Sequence, residues 1–525
     1  MWMGKLTTLP HYPLGRVVSA AILGGMGFLV YAPFHLWPFL FVSVSGFAYL
    51  LFQEVYWKNA FQTIFAFFFF SYFSILHWVG NAFSVVELGA LSFVGYVLLP
   101  LVHSIIPGFA SFIAWKLTAS QPNSSRSPSN HVRQALALGA LWNAGCLMHM
   151  LGELGFPWVL PGYALPLEFQ QIASIIGIEG LSFIVLFASL ALFARSVFYR
   201  LLTLCIMVGI GVFGFLRLKN DTYVTAYNLR LIQPSISQDS KWDPERTQHH
   251  LQIQGLLSQM EAEKPVQAII WPEAAVTFDF SKYPELQKML ANAAPQGGYV
   301  FLGTVRDTPE GPHNSLVILN DKGEKLAVYD KKHLVPFGEY IPLRSFFPGI
   351  QKMTHGVHDF VPGVEPDLIV LETILPFRPL ICYEAIFSRE ILAPFGHSIL
   401  KKTSSLGDIR PQWLLNLTND GWYGDSFGPH QHLYNVKVRA IEQGLPLVRV
   451  ANNGISAVID PYGRMLHRLE LNDVGIIDFS LPQALLPTFY SVYGFWVLPI
   501  LFALSGIIFV SALLLQRHKV KKSLL

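Results

Sequence analysis

The sequence predicts a polytopic α-helical membrane domain of eight spans plus an extracytoplasmic α/β domain of layered type, inserted before the last span. Of 525 residues, 52% are hydrophobic and only 14% are charged, where a soluble protein carries about 25% charged residues. The apolar residues are segregated as well. Residues 1 to 216 and 488 to 515 are almost uninterrupted hydrophobic blocks, whereas 220 to 485 hold most of the acids and amides. The domains therefore read as 1 to 219, seven spans; 220 to 486, the α/β domain; and 487 to 525, one span with a basic tail. A formal net charge of +3 is too small to argue for a nucleic-acid partner.

A helix needs about 20 apolar residues to cross a bilayer. Segments of that kind run from Leu14 to Phe34, Leu36 to Phe52, Trp57 to Val79, Leu88 to Trp115, Val132 to Leu151, Ile172 to Ala194, Phe198 to Leu216 and Tyr490 to Leu515. The first two must form a tight hairpin. Lysine and arginine gather on the cytoplasmic side of membrane proteins, and here they occupy alternate connections: Lys5 and Arg16; Lys58; Lys116, Arg126 and Arg133; Arg195 and Arg200; and Arg517, Lys519, Lys521 and Lys522. The connections 80 to 87 and 152 to 171 contain neither residue type. Both termini are thus expected in the cytoplasm and the α/β domain outside it. The first segment reads as a retained span, because it lacks a small-residue cleavage site and more spans follow at once. Residues 118 to 130, TASQPNSSRSPSN, read as a flexible cytoplasmic loop. GELGFPWVLPGYALPLEF, residues 152 to 169, reads as an interfacial loop.

In the polar region, short β-branched and aromatic runs alternate with helical stretches. LRLIQPSI, QAIIWPEA, GYVFLGTV, HNSLVILN, LAVYDKKH, LPFRPLICYE, WLLNLTND, LPLVRVANNG, ISAVIDPYG and VGIIDFSL read as ten strands. Helical spacing marks 244 to 260, 284 to 293, 386 to 394 and 430 to 443. Chemistry is then expected at strand ends and in the loops that follow.

The three cysteines, Cys146, Cys205 and Cys382, form no disulfide framework and lack paired metal spacing. Cys146 and Cys205 fall in apolar segments, where a buried structural thiol is the expectation. Cys382 is different, because PLICYEAIF places it at a strand end beside Tyr383 and Glu384. Two other strand ends carry matching groups: IIWPEAA supplies Glu273, and VYDKKHLVPFGEYIP supplies Lys331, Lys332 and Glu339. A thiol needs a base or a nearby cation to become a nucleophile, a carboxylate can take its proton, and a lysine can stabilise an oxyanion. One glutamate, one lysine and one cysteine suffice for acyl transfer through a thioester. His430 and His432, or His249 and His250, are poor tetrahedral sets, so no metal and no cofactor are expected.

These stretches, with TNDGWYG at 418 to 424 and RVANNGISAVIDPYG at 449 to 463, resemble the Glu-Lys-Cys pattern of the nitrilase (carbon-nitrogen hydrolase) superfamily. With spans before and after the domain, they resemble in particular its membrane-bound branch, the apolipoprotein N-acyltransferases. The resemblance implies an α-β-β-α sandwich, with Glu273 as general base, Lys331 as the triad lysine and Cys382 as nucleophile. Lys331 is preferred to Lys332 because the family's motif places the lysine two residues before the run that begins at His333. It further implies supporting roles for Glu339, Tyr383 and Glu384, and substrate contact or gating by Trp242, Trp158 and Trp422. The implied donor is a phospholipid such as phosphatidylethanolamine, the acceptor a diacylated apolipoprotein, the location a bacterial inner membrane with the catalytic domain periplasmic, and the state a monomer. There is one departure. After Trp142, Cys146 and His149 stand where the family usually has Glu and Arg. A membrane-tethered amidase shares the triad, and a transporter with a ligand-binding domain is a third reading. Against the transporter, the spans hold few ionisable residues.

Overall fold

In a computed structural model, residues 13–85, 92–119, 128–346, 352–354, 356, 358–364, 367–392 and 409–523 are described. The chain forms two compact units, one of Met1–Gly80, Ala90–Lys219 and Tyr493–Leu525, the other of Asn81–Gly89 and Asn220–Val492. Lys5, Arg126 and the central part of the 118-to-130 loop lie outside the described residues.

All eight apolar segments are helical, but they are not equal. Among the described residues, six helices are long and apolar enough to cross a membrane: Pro13–Val30, Trp57–Phe83, Gly95–Thr118, Ala173–Ala194, Val197–Arg217 and Phe489–Leu515. The second expected span is the 14-residue helix Pro38–Leu51, which at 1.5 Å per residue falls short of a hydrocarbon core about 30 Å thick. The fifth is Pro128–Met148, long enough but opened by Asn130, His131, Arg133 and Gln134. Eight spans are thus an expectation that length and composition meet in six.

This unit packs through aromatic rings and a few satisfied polar groups. Phe47 stacks on Phe67 with centroids 4.1 Å apart, and Trp142 stands edge-on to both Phe67 and Phe68. Arg16 binds both oxygens of the buried Glu54, which also accepts from Thr63, so this buried carboxylate is paired. Cys146 is buried as expected. Cys205 is not: it is exposed on Val197–Arg217, a helix only 11% of which is covered by protein, because an apolar helix facing hydrocarbon need not bury its small residues in protein.

The second unit is a sandwich of two sheets with helices outside. The strands are β1 Val224–Gln233, β2 Ala268–Ile270, β3 Tyr299–Thr308, β4 Gly311–Asn320, β5 Lys325–Asp330, β6 Phe377–Ile381, β7 Trp413–Thr418, β8 Leu447–Ala451, β9 Ser456–Ile459, β10 Met465–Leu469 and β11 Gly475–Pro482. One sheet has the order β11-β1-β2-β3-β4-β5, the other β10-β9-β8-β7-β6. In the first sheet the parallel run β1-β2-β3 is central and flanked by antiparallel strands, whereas in the second the parallel run β6-β7-β8 starts at the β6 edge and β9 and β10 continue it antiparallel.

Side-chain alternation sorts the strands between two cores. Leu229 and Leu231, Ile270, Phe301, Leu316 and Ile318 face the second sheet, where Phe377, Trp413, Leu415, Leu417, Val448 and Val450 meet them. Phe377 lies between Phe301 and Trp413, with centroids 5.4 and 4.6 Å away. The intervening Ile232, Ile269, Val300, Leu302 and Val317 face outward against Leu251 and Leu257 of helix Thr247–Gln259 and Leu290 of helix Pro284–Ala291. Helix Phe427–Gln443 carries the fully buried Leu433, Val436, Ala440 and Ile441. Two expectations are corrected. The run LPFRPLICYE does not stay extended to its end: β6 stops at Ile381, and Cys382 opens a short 3₁₀ turn to Ile386. The helix expected over 386 to 394 is the single turn Ser388–Ile391, with 393 and 394 outside the described residues.

Candidate active site

The ends of β2, β5, β6 and β7 supply the site, with Asn314 from within β4. After β2, the chain Trp271-Pro272-Glu273 stays pinned beside β3 by bonds from Trp271 N to Phe301 O, from Val276 N to Gly303 O and from Val305 N to Val276 O. Gly303 makes this approach possible. A Cβ there would stand 2.0 Å from Pro272 O and 2.8 Å from Glu273 Cα, so any side chain would push the glutamate away.

Glu273, Lys331 and Cys382 are all buried. Lys331 Nζ lies 3.0 and 2.9 Å from the two oxygens of Glu339 and 3.7 Å from Glu273 Oε1, so its tight ion pair is with Glu339 and its hold on Glu273 is looser. Asn314 Nδ2, on β4, donates to Glu273 Oε1 at 2.8 Å and to Glu339 Oε1 at 2.9 Å. One amide thereby fixes the two carboxylates against each other, and Val335 N donates to the other Glu339 oxygen.

Burial would pull the Lys331 ammonium down, but Glu339, Glu273 and Cys382 more than offset it and hold it above the usual lysine value. It is therefore a permanent cation. Glu273 is raised, first by burial and then by Glu339, against the pull of Lys331 and Asn314. The Cys382 thiol is also raised, by burial and then by Glu273, with Lys331 opposing. At rest the sulfur is a neutral thiol beside a carboxylate whose proton affinity exceeds that of an ordinary glutamate, the pairing that general-base activation needs. Cys382 has φ of 53°, in the left-handed region, which ends the strand and opens the turn Cys382–Ile386.

The neighbours of Cys382 have distinct tasks. The Glu384 carboxylate is spent on structure: it accepts from Ile381 N at 2.6 Å, Lys332 N at 2.7 Å and the Tyr329 hydroxyl at 2.9 Å, tying the turn after β6 to the end of β5. Tyr383 is buried edge-on to His333 and Phe387. Trp242 closes the short helix Gln238–Lys241, and Trp422 sits in the turn Asp420–Tyr423; both are partly exposed. Trp158 belongs to the other unit, where it is buried, stacked on Phe156 and 5.1 Å from Trp78.

Several groups were invisible in the sequence. Lys241 is buried and donates to Glu273 O at 2.9 Å; burial lowers it to about 8, with Glu273 and Cys382 opposing. Asp420 binds Arg449 Nη2 at 2.6 Å and lies 2.9 Å from His432 Nδ1, all three fully buried. His432 thus belongs to this network; among the described residues no group of three or more histidine, cysteine or acidic side chains could hold a metal. DGWYG and RVANNG contain two of these residues, but only the fold joins them.

Comparison with known proteins agrees with both halves of the chain. Residues 228–486 match the family model of carbon-nitrogen hydrolases, and residues 23–191 that of the apolipoprotein N-acyltransferase N-terminal domain. The chain is 35% identical over 518 residues to the apolipoprotein N-acyltransferase of Rhodopseudomonas palustris, covering 91% of this chain and 92% of the relative. It is 33% identical over 515 residues to that of Rickettsia typhi, with coverage of 92% and 96%. Against that of Bradyrhizobium diazoefficiens identity is 37% over 392 residues, covering 69% and 71%.

Proposed function

The chain belongs to the apolipoprotein N-acyltransferase family, and from that premise we propose that it moves an acyl chain from a phospholipid, through a thioester on Cys382, to the N-terminal amine of a diacylated apolipoprotein. The protein is an acyltransferase of the bacterial inner membrane. Phosphatidylethanolamine is the donor we favour, a monomer the working state, and the catalytic unit periplasmic with both termini cytoplasmic. The observation that carries the mechanism is the division of labour between the two glutamates: Glu339 neutralises Lys331 closely, which leaves Glu273 as a base of raised proton affinity beside the thiol.

In the first half, Glu273 takes the thiol proton and the thiolate attacks the ester carbonyl carbon. The oxyanion is met by Lys331 and by a backbone N–H following Cys382. Collapse breaks the ester C–O bond, Glu273 returns its proton to the leaving alcohol, and lysophospholipid departs. In the second half Glu273 takes a proton from the incoming amine, which attacks the thioester carbonyl; the C–S bond breaks as the amide forms, and Glu273 returns the proton to the leaving thiolate, restoring the thiol. The kinetics should be ping-pong, and both substrates are bilayer-anchored, which gives the membrane unit its purpose.

Mass spectrometry of the purified protein after incubation with a defined phospholipid decides the assignment. Wild type should gain one acyl chain on the peptide containing Cys382, lost on addition of a diacyl lipopeptide, and Cys382→Ser should bind lipid and form no thioester. An adduct on Cys146, Cys205 or any other residue overturns it.

A further inference from the structure

Beneath the nucleophile lies a hydroxyl for which the mechanism above has no use. Thr418 is the last residue of β7, fully buried. The parallel register sets Ile381 opposite Leu417, so Thr418 sits one step on, beside Cys382. Because Trp413, Leu415 and Leu417 fill the core between the sheets, alternation turns Asn416 and Thr418 to the opposite face.

The Thr418 hydroxyl has two acceptors and one proton. It donates to Asp420 Oδ1 at 3.1 Å, and the register that sets it one step past Leu417 places it beside Cys382, where its hydroxyl favours the charged form of the sulfur. Asp420 does not depend on it: Arg449 holds Oδ2 at 2.6 Å and His432 Nδ1 lies 2.9 Å from Oδ1. Arg449 is itself fixed, donating to Asn416 Oδ1 at 2.5 Å and to Ile455 O at 3.2 Å, while Asn416 Nδ2 donates to Leu380 O at 3.2 Å. The carboxylate can therefore release the hydroxyl without being left buried and unpaired, which would otherwise cost several kcal/mol.

We propose that Thr418 is a further catalytic residue of this acyl transfer, a rotating hydroxyl that donates to Asp420 while Cys382 is a thiol or thioester and swings to donate to the sulfur whenever it carries negative charge. When Glu273 takes the thiol proton, the S–H bond breaks, the electron pair stays on sulfur and the threonine O–H turns from Asp420 to the thiolate. No bond to Thr418 is made or broken. On thioester formation the sulfur is neutral again and the hydroxyl returns. When the amine expels the sulfur, the same rotation stabilises the leaving thiolate. The charged and titratable groups around the sulfur are Glu273 after β2, Lys331 after β5, Lys241 at the end of helix Gln238–Lys241, Asp420 after β7, His432 and Tyr423, and Arg449 on β8. Thr418 is the small neutral group among them.

The inference rests on Cys382 being the nucleophile, and the test separates the two claims. Full-length wild type, Thr418→Val and Thr418→Ser are purified in detergent, and alkylation of Cys382 by iodoacetamide is followed by peptide mass spectrometry from neutral to alkaline pH. Valine keeps the shape and removes the hydroxyl, so Cys382 should react about tenfold more slowly at a given pH, its profile moved up by about one unit, while serine restores the wild-type profile. Both half-reactions, lipid-dependent acylation and lipopeptide-dependent deacylation, should slow together in Thr418→Val. An unchanged alkylation profile, or a deficit that serine does not rescue, overturns the role of Thr418 and leaves the nucleophile standing. Acylation of wild type away from Cys382 overturns the nucleophile instead.

Discussion

At the residue scale, the site is decided by which charges are satisfied. Lys331→Met would leave Glu273 and Glu339 buried together without their cation. It should cost about 3–5 kcal/mol of stability and lower the acylation rate by about 100- to 1,000-fold, measured by thermal melting in detergent and single-turnover acylation. Asn314 acts more gently, since its amide lowers the proton affinity of Glu273. Acylation needs the ionised carboxylate, so the rate falls as pH drops through the raised Glu273 value. Asn314→Ala should move that acidic limb of kcat/KM further up, by as much as about one pH unit. Asp420 provides the opposite case. Burial would raise it, but Arg449 and His432 hold it at about 2 against an ordinary 3.8. A depressed carboxylate stabilises the fold above its unfolded value and loses that contribution as pH falls through its folded one. About 2 kcal/mol should thus disappear from wild type between 3.8 and about 2, and Asp420→Asn should lack this acid-dependent loss in melts across the same range. Of all these residues, Glu273, Lys331 and Cys382 were legible because a resemblance joined three strand ends. Lys241, Asn314 and Thr418 were not, being ordinary residue types whose meaning depends on strand register for the last two and on where a short helix ends for Lys241.

At the element scale, the strands were legible as short β-branched and aromatic runs, buried at every position in β2, β6, β7, β8 and β9. Ten runs pointed to ten strands, and the eleventh, Met465–Leu469, escaped because it is an edge strand whose Leu466, His467 and Arg468 are all exposed, so no period-two pattern forms. The helical segments were legible by composition, but composition alone did not separate the short Pro38–Leu51 from its longer neighbours. Two changes probe this scale. Phe301→Ala, which empties the contact with Phe377, should destabilise by about 3–5 kcal/mol in melts of the whole protein. Gly303→Ala should do something different: the Cβ would displace Pro272 and Glu273, so acylation should fall steeply while alkylation of Cys382, on the other sheet, stays measurable.

At the scale of the whole molecule, the two units answer to different solvents, and their arrangement across the bilayer can be read chemically. With Cys146, Cys205 and Cys382 replaced by alanine, Glu285→Cys on the catalytic unit should react with a membrane-impermeant maleimide in intact spheroplasts. Lys58→Cys, in the first turn of Trp57–Phe83, should react only after permeabilisation. The reverse pattern would invert the topology that the lysine and arginine distribution supports.

The left-handed backbone at Cys382 sets catalysis against endurance. A residue with a Cβ held there gives up about 1–2 kcal/mol, whereas glycine adopts such angles freely and loses about 0.5–1 kcal/mol through its greater freedom in the unfolded chain. Cys382→Gly should therefore melt above Cys382→Ala although both are inert. The candidate nucleophile thus sits on backbone that glycine adopts more freely, and the chain keeps a buried side chain there in spite of that strain.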